Sequence, residues 1–363
     1  MKRYTTIICS VLCLTTIAIK AQTSNQSIST IPVKVELKKV DSSFRLFRNG
    51  QQYFIKGAGG NIFPDRLTAY GGNSIRTWNT RNAKRLLDTA AKYGLTVLMG
   101  LEVSSERHGF DYNDTVAVKK QLDRLREEVL KYKDHPAVLA WGIGNELNLS
   151  YKNVKVWDAV NDISKMIHEL DPNHPTTTII AGITKEVVDH IKSKSPDLDL
   201  LSINTYGGLA TLPAAVRRAG WIGAYMVTEW GPTGHWEGLT TAWKSPIEET
   251  SSEKAAVYKS RYEFSVERDK ENCIGSYVFL WGQKQERTPT WYGIFTEKGE
   301  ESEVVDVMQY LWSGNWPKNQ APHLYSFQLN NKKAIENIYL KPGATYNARA
   351  VVTDLYGDRK SVV

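Results

Sequence analysis

The feature that most constrains this 363-residue chain is a repeat of pattern. Short apolar runs, rich in β-branched residues, alternate with longer amphipathic stretches from about residue 53 to residue 311. The runs lie at 53–57, 74–78, 96–103, 138–146, 177–181, 200–206, 225–229 and 274–281. Stretches with apolar residues at helical spacing lie at 83–93, 116–132, 154–170, 253–269 and 303–311. Near-continuous apolar strands separated by helices pair in parallel. Eight such strands over ~250 residues is the size at which a (β/α)8 barrel closes. An open doubly wound sheet is the rival. Gly57-Ala58-Gly59-Gly60 follows the first run but lacks the helix and downstream acid of a dinucleotide site. The pattern therefore predicts a TIM barrel.

The ends of the chain read differently. Residues 1–21 carry Lys2 and Arg3, then an apolar stretch, then small residues from Ala18 to Ala21, which predicts a cleaved secretory signal. Its apolar core is shorter than the ~20 residues that span a bilayer, so no stable membrane insertion is expected after cleavage. The expected location is secreted or periplasmic, or held at the cell surface. Residues 22–50 read as a polar lead followed by a β-hairpin, with Arg48-Asn49-Gly50-Gln51 as its turn. Residues 51–317 hold the barrel. Residues 318–363 carry three short strand-like runs, at 324–329, 334–340 and 346–353. With 46 residues beyond Pro317 against the ~100 of an immunoglobulin domain, this short C-terminal β segment is predicted to be an incomplete immunoglobulin-like sandwich.

Composition narrows the chemistry. Loss of Lys2, Arg3 and Lys20 with the signal lowers the formal charge from +7 to +4, and no basic cluster is interleaved with aromatics, so nucleic acid is not an expected partner. The seven histidines are scattered, which argues against a metal centre, and neither metal nor cofactor is expected. Cys273 is the one cysteine outside the signal and reads as core. Eleven Trp and eighteen Tyr are more than a core requires and suit surfaces that stack on flat ligands such as sugar rings.

Two apolar runs stop on a carboxylate: Trp141-Gly142-Ile143-Gly144-Asn145-Glu146 and Tyr225-Met226-Val227-Thr228-Glu229-Trp230. Barrel enzymes place their chemistry at the C-terminal ends of the strands, and a pair of carboxylates is the minimum equipment for cleaving a glycosidic bond. Taken singly, Glu146 reads equally well as a helix-capping acid, and Glu229 as one half of a structural pair with Arg76. Arg76, Asn145, Glu146, Tyr206, Glu229 and Trp281 nevertheless all fall at strand ends, on one expected face. Trp230 and Trp291 follow in the mouth loops as candidate sugar platforms. The polar, aromatic loops at 102–112 and 283–292 are expected to bind substrate.

At these residues the chain resembles glycoside hydrolase clan A. Gly144-Asn145-Glu146 is similar to the clan's acid/base signature on strand four, and Thr228-Glu229-Trp230-Gly231 to its nucleophile segment on strand seven. Arg76, Tyr206 and Trp281 match its strand-two arginine, the tyrosine beside the nucleophile and the strand-eight tryptophan. Phe54-Ile55-Lys56-Gly57 with the Gly-Asn-Glu segment looks most like the barrel of glycoside hydrolase family 2, without that family's two preceding β-domains. A barrel followed by an immunoglobulin-like module is also similar to the endo-β-1,3-glucanases of family 158. The resemblance implies retaining hydrolysis of a β-linked oligo- or polysaccharide, with Glu229 as nucleophile, Glu146 as acid/base and Asn145 on the sugar 2-hydroxyl. It further implies carboxyl groups ~5–5.5 Å apart. The spread of aromatics over several loops favours an endo-β-glucanase. An exo-acting family 2 glycosidase, a β-glucan transglycosylase and a non-catalytic carbohydrate-binding barrel are the alternatives.

Overall fold

A computed structural model of the chain describes residues 31–354. The expected signal and most of the polar lead lie outside the described residues. Three antiparallel strands come first: β1 (Val35–Val40), β2 (Ser43–Arg48) and β3 (Gln51–Tyr53). Asp41, at φ 56°, makes a turn ahead of the one expected at Arg48–Gln51, so the expected hairpin is a three-stranded meander.

Eight parallel strands then close a barrel in chain order. They are β4 (Ile55–Gly59), β5 (Ser74–Arg76), β6 (Thr96–Leu101), β7 (Val138–Ile143), β8 (Thr176–Ala181), β9 (Leu200–Asn204), β10 (Tyr225–Trp230) and β11 (Cys273–Val278). Pairing of β11 with β4 completes the ring. The (β/α)8 expectation is borne out. Helices α1 (Pro64–Ala69), α2 (Ala83–Lys92), α3 (Thr115–Tyr132), α4 (Lys155–Leu170), α5 (Lys185–Lys194), α6 (Leu212–Ala219), α7 (Ser251–Arg261) and α8 (Glu303–Ser313) follow the strands in turn. Of these, α1, α5 and α6 escape the sequence pattern. Of the three, α1 and α6 have six and eight residues, too few for a clear apolar period.

Local chemistry fixes the helix starts. Asp114 caps α3 by accepting the Val116 and Ala117 N–H groups, and Thr250 with Glu253 forms a capping box on α7. Each such cap contributes about 1 kcal/mol. The main core lies between strands and helices and includes Trp157, Val160 and Ile167 of α4. A second core sits at the bottom of the barrel, where Val35 and Leu46 of the meander cover Ile55, Leu139, Leu200, Met226 and Ile274 from the beginnings of the strands. The meander thus plugs the N-terminal end and leaves the C-terminal end open for loops.

Beyond α8, β12 (His323–Leu329) and β13 (Ala348–Thr353) pair antiparallel as one two-stranded layer. The strand expected at 334–340 is instead a 3-10 turn at Ala334–Glu336. Positive φ at Asn330, Asn331 and Asn337 breaks the extended chain there. The segment is fastened to the barrel by His323 on Glu303 (2.9 Å) and by the Leu324 N–H on Ser252 Oγ (2.8 Å). No helix among the described residues is long and apolar enough to cross a membrane.

Candidate active site

The C-terminal ends of six strands converge on a cavity of about 930 Å³ lined by Trp78, Asn145, Glu146, Tyr206, Glu229 and Phe279, among others. Arg76, the last residue of β5, is 1% exposed and ties its floor together. Its Nη1 donates to Glu229 Oε1 (2.8 Å), the Thr228 carbonyl (2.7 Å) and Asn204 Oδ1 (3.3 Å), and its Nη2 donates to Asn145 Oδ1 (2.6 Å). A buried guanidinium is tolerable only with this degree of pairing.

Glu229 is aimed by a slip in register between β9 and β10. The pairing shifts between Val227 and Glu229, so Glu229 comes opposite Asn204. Shifts of this kind re-aim side chains at barrel rims. Besides Arg76, Glu229 accepts from Trp78 Nε1 (2.8 Å) and Tyr206 Oη (3.1 Å). All three partners are donors, an arrangement complementary to a carboxylate rather than to a protonated acid. Burial, followed by the charge of Glu229, pushes the Tyr206 hydroxyl well above the ordinary tyrosine range, so it stays a donor.

Glu146 reaches the same cavity by a strained turn. Gly144 takes φ 73°, where a Cβ would meet Leu147 at 2.6 Å, and Glu146 itself takes φ 55°. A non-glycine residue held there costs of the order of 1 kcal/mol or more and is typical of functional sites. Its N–H is anchored on the Ile179 carbonyl (2.8 Å) and its Oε1 accepts from Asn204 Nδ2 (3.1 Å). Burial, and then repulsion by Glu229, raise the Glu146 carboxyl above its ordinary value, against weaker opposing pulls from Asn204, Arg107 and Arg76. Arg107, from the loop after β6, stands 3.8 Å from Glu146 Oε2. The two carboxyl groups therefore occupy different environments, the condition for dividing acid and base roles.

Asn204 links the two. Its Oδ1 accepts from Thr228 and Arg76 while its Nδ2 donates to both Glu146 and Asn145. Asn145 receives Arg76 and Asn204 on its oxygen, which leaves its NH2 group to meet a hydroxyl. Aromatic rings frame the rest. Tyr206 meets Trp236, Phe279 and Tyr292 edge to face at 5.5, 6.2 and 5.3 Å, and Trp78 meets Phe279 at 5.8 Å.

The structure brings Arg76, Asn145, Glu146, Tyr206 and Glu229 together. It does not bring the three expected tryptophans to the cavity. Trp230 is fully buried against Tyr258 of α7 and Tyr262, because neighbours on a strand face opposite ways and Glu229 faces the mouth. Trp281 lies in the outer layer against Phe295 and Trp312, donating to the Phe63 carbonyl. The chain has turned after β11, and Phe279 takes the mouth position expected of Trp281. Trp291 is buried with its Nε1 on the Thr233 carbonyl and supports the loops from behind. Sequence reasoning missed Asn204, Trp78 and Phe279, although each ends or follows a recognised strand. From the two loops expected to bind substrate, Lys284 and Glu286 line the cavity and Arg107 reaches Glu146. Among the described residues no cluster of His, Cys, Asp or Glu is arranged to hold a metal ion. Cys273 is buried, its thiol pushed up to about 12 by burial.

Comparison with known proteins returns the same architecture. Residues 65–206 match the TIM barrel domain of glycosyl hydrolases family 2, so the expected resemblance is borne out over that stretch. A β-galactosidase of Arthrobacter sp. (strain B7) is 29% identical over 112 residues, which is 28% of this chain and 11% of that protein. Among solved structures, a Bifidobacterium dentium β-glucuronidase complexed with coumarin-3-O-glucuronide superposes with a TM-score of 0.61 at 18% identity, over 78% of this chain and 49% of that one. A family 2 β-galacturonidase from Eisenbergiella tayi gives 0.60 at 18% identity, over 78% and 55%. At that identity the likeness speaks to the fold. The chain spans about half the length of these solved proteins.

Proposed function

We propose, from a barrel of the glycosyl hydrolase family 2 type, that this chain is a retaining β-glycoside hydrolase working by double displacement. The observation that carries the reading is the contrast between the two glutamates of one cavity. Glu229 sits among three donors, and Glu146 has its carboxyl raised by burial and by Glu229. In the first step Glu229 attacks the anomeric carbon while Glu146 gives its proton to the departing oxygen. In the second, Glu146 takes a proton from water, which displaces Glu229 from the glycosyl-enzyme, and the configuration is retained. Asn145 holds the 2-hydroxyl through its amide NH2, Arg76 keeps Glu229 and Asn145 in register, and Trp236 and Phe279 pack on sugar faces.

The substrate is a β-linked polysaccharide cut within the chain. Lining residues come from the loops after six strands, and a cavity of about 930 Å³ is at the upper end of the ~300–1,000 Å³ usual for small-ligand pockets. A β-glucan is the substrate expected from the sequence. Release of single sugars from chain ends is the second reading, favoured by a solved relative in complex with the small glycoside coumarin-3-O-glucuronide. The protein acts outside the cytoplasm, as its expected signal implies. Incubation with a panel of β-linked polysaccharides, with product lengths and anomeric configuration followed by NMR, tests the reading. Oligosaccharides with retained configuration are expected. Inverted products, or no cleavage of any member, would defeat the hydrolase reading, and monosaccharides alone would replace internal attack with terminal attack. Longer products at high substrate concentration would indicate transglycosylation from the same intermediate.

A further inference from the structure

We propose that the cavity selects neutral sugar chains against uronic-acid chains, and that Glu237 and the Glu286–Lys284 pair make that selection. The proposal rests on the glycosidase reading and names its substrate class. Four carboxylates line the cavity, Glu146, Glu229, Glu237 and Glu286, against one lining cation, Lys284. A sugar carboxylate would need a cation of its own. Lys284 Nζ lies 2.5 Å from Glu286 Oε2 and over the Phe279 ring. Arg76 is buried and divided between Glu229, Asn145, Asn204 and a carbonyl. Arg107 faces Glu146, and His235 faces Glu286 at 3.7 Å. Arg76, Arg107 and Lys284 therefore each already face a carboxylate.

Glu237 is built into its position. Its Oε1 accepts the N–H groups of Gly207 (2.5 Å) and Gly234 (3.0 Å). A Cβ at residue 207 would stand 2.8 Å from the Glu237 carboxyl carbon, and one at residue 234 would meet the Trp236 ring at 2.7 Å and Oε1 at 3.0 Å, so the carboxyl group packs closely against both glycines. Beside it Trp236 is 61% exposed and lines the same cavity. An aromatic face next to a fixed acceptor suits a neutral sugar, whose C–H face packs on the ring and whose hydroxyls donate to the carboxylate. A uronate in the same place would bring like charge against like charge, which disfavours a wrong partner strongly.

The test compares ligands that differ only at C6. Cellohexaose and laminarihexaose are titrated calorimetrically into the Glu146→Gln variant, alongside their C6-oxidised β-glucuronate counterparts. The neutral chains are expected to bind roughly tenfold or more tightly. Glu237→Gln and Glu286→Gln, the latter freeing Lys284, are each expected to narrow the gap by strengthening uronate binding. The gap should also shrink as salt is raised. Circular dichroism checks that each variant is folded. Equal or tighter binding of the uronates, no binding of either class, or an unchanged ratio in both folded variants would overturn the proposal. Hydrolysis by the wild-type protein is scored separately. Neutral preference without cleavage would sink the hydrolase reading and leave this one standing, whereas cleavage with uronate preference would do the reverse.

Discussion

Replacing Arg76 by Met removes a charge while keeping most of the side-chain volume, and it isolates what the buried pair does. Arg76 is 1% exposed and the Glu229 side chain 9%, so solvent does little to weaken their interaction. Breaking one partner out of a buried pair costs ~3–5 kcal/mol, because the remaining charge is left without its counterion. Glu229 keeps Trp78 and Tyr206, which places the expected loss of stability towards the lower end of that range. Asn145 and Asn204 lose the guanidinium at the same time, so the amide proposed to hold the sugar 2-hydroxyl is released as well. If about 3 kcal/mol of that organisation is also needed in the transition state, kcat/KM of the folded variant falls by ~10²-fold, since each ~1.4 kcal/mol is tenfold. Equilibrium urea denaturation followed by tryptophan fluorescence gives the first quantity, and initial rates well below the melting transition give the second. Arg76→Lys is expected to recover part of the stability but little activity, because an ammonium cannot fork to Glu229 and Asn145 together. An Arg76→Met protein within about 1 kcal/mol of wild type, the range of exposed pairs, and with activity nearly intact would refute the account of the floor of the site.

Four further substitutions probe the remaining parts. Glu146 holds its proton to a higher pH in the folded chain than in the unfolded one, so above its ordinary value of 4.5 the folded state binds more protons and loses stability as pH rises through that window. Glu146→Gln is therefore expected to melt higher than wild type near neutrality, with the difference vanishing below the ordinary carboxyl range, and to abolish the alkaline limb of kcat/KM. Calorimetry and pH–rate profiles check both. Trp281→Ala is expected to cost ~3–5 kcal/mol of stability while leaving KM of the folded protein unchanged. Phe279→Ala is expected to raise KM, and the reverse pattern would restore Trp281 as the platform. Trp236→Ala is expected to weaken substrate binding while shifting stability by no more than ~0.5 kcal/mol, as for exposed positions in general.

The barrel was legible because each strand is buried on both faces and so declares itself as an unbroken apolar run between amphipathic helices. The carboxylates were legible because Glu146 and Glu229 interrupt such runs at their ends. Trp230 could have been placed by the same logic, since adjacent strand residues face opposite sides and only one of Glu229 and Trp230 can look into the mouth. The choice of Trp281 over Phe279 failed because the chain leaves β11 at Val278 and turns, and nothing in Phe279-Leu280-Trp281-Gly282 marks where alternation stops. Asn204 was passed over because an amide is a weak signal by itself. Its importance comes from four partners on different strands and loops, a property of the closed ring. The register slip that aims Glu229 and the positive φ of Glu146 are likewise set by neighbours distant in sequence.

The central claim is that Glu229 forms a covalent bond to the sugar. Incubation of the wild-type protein with a 2-deoxy-2-fluoro-β-glucosyl or laminaribiosyl fluoride, followed by digestion and peptide mass mapping, addresses it directly. The account predicts a single glycosyl adduct on the peptide holding Glu229, slow to turn over and absent from Glu229→Gln. An adduct on Glu146 or on any other residue, or none under conditions where a β-glycoside is cleaved, would contradict it.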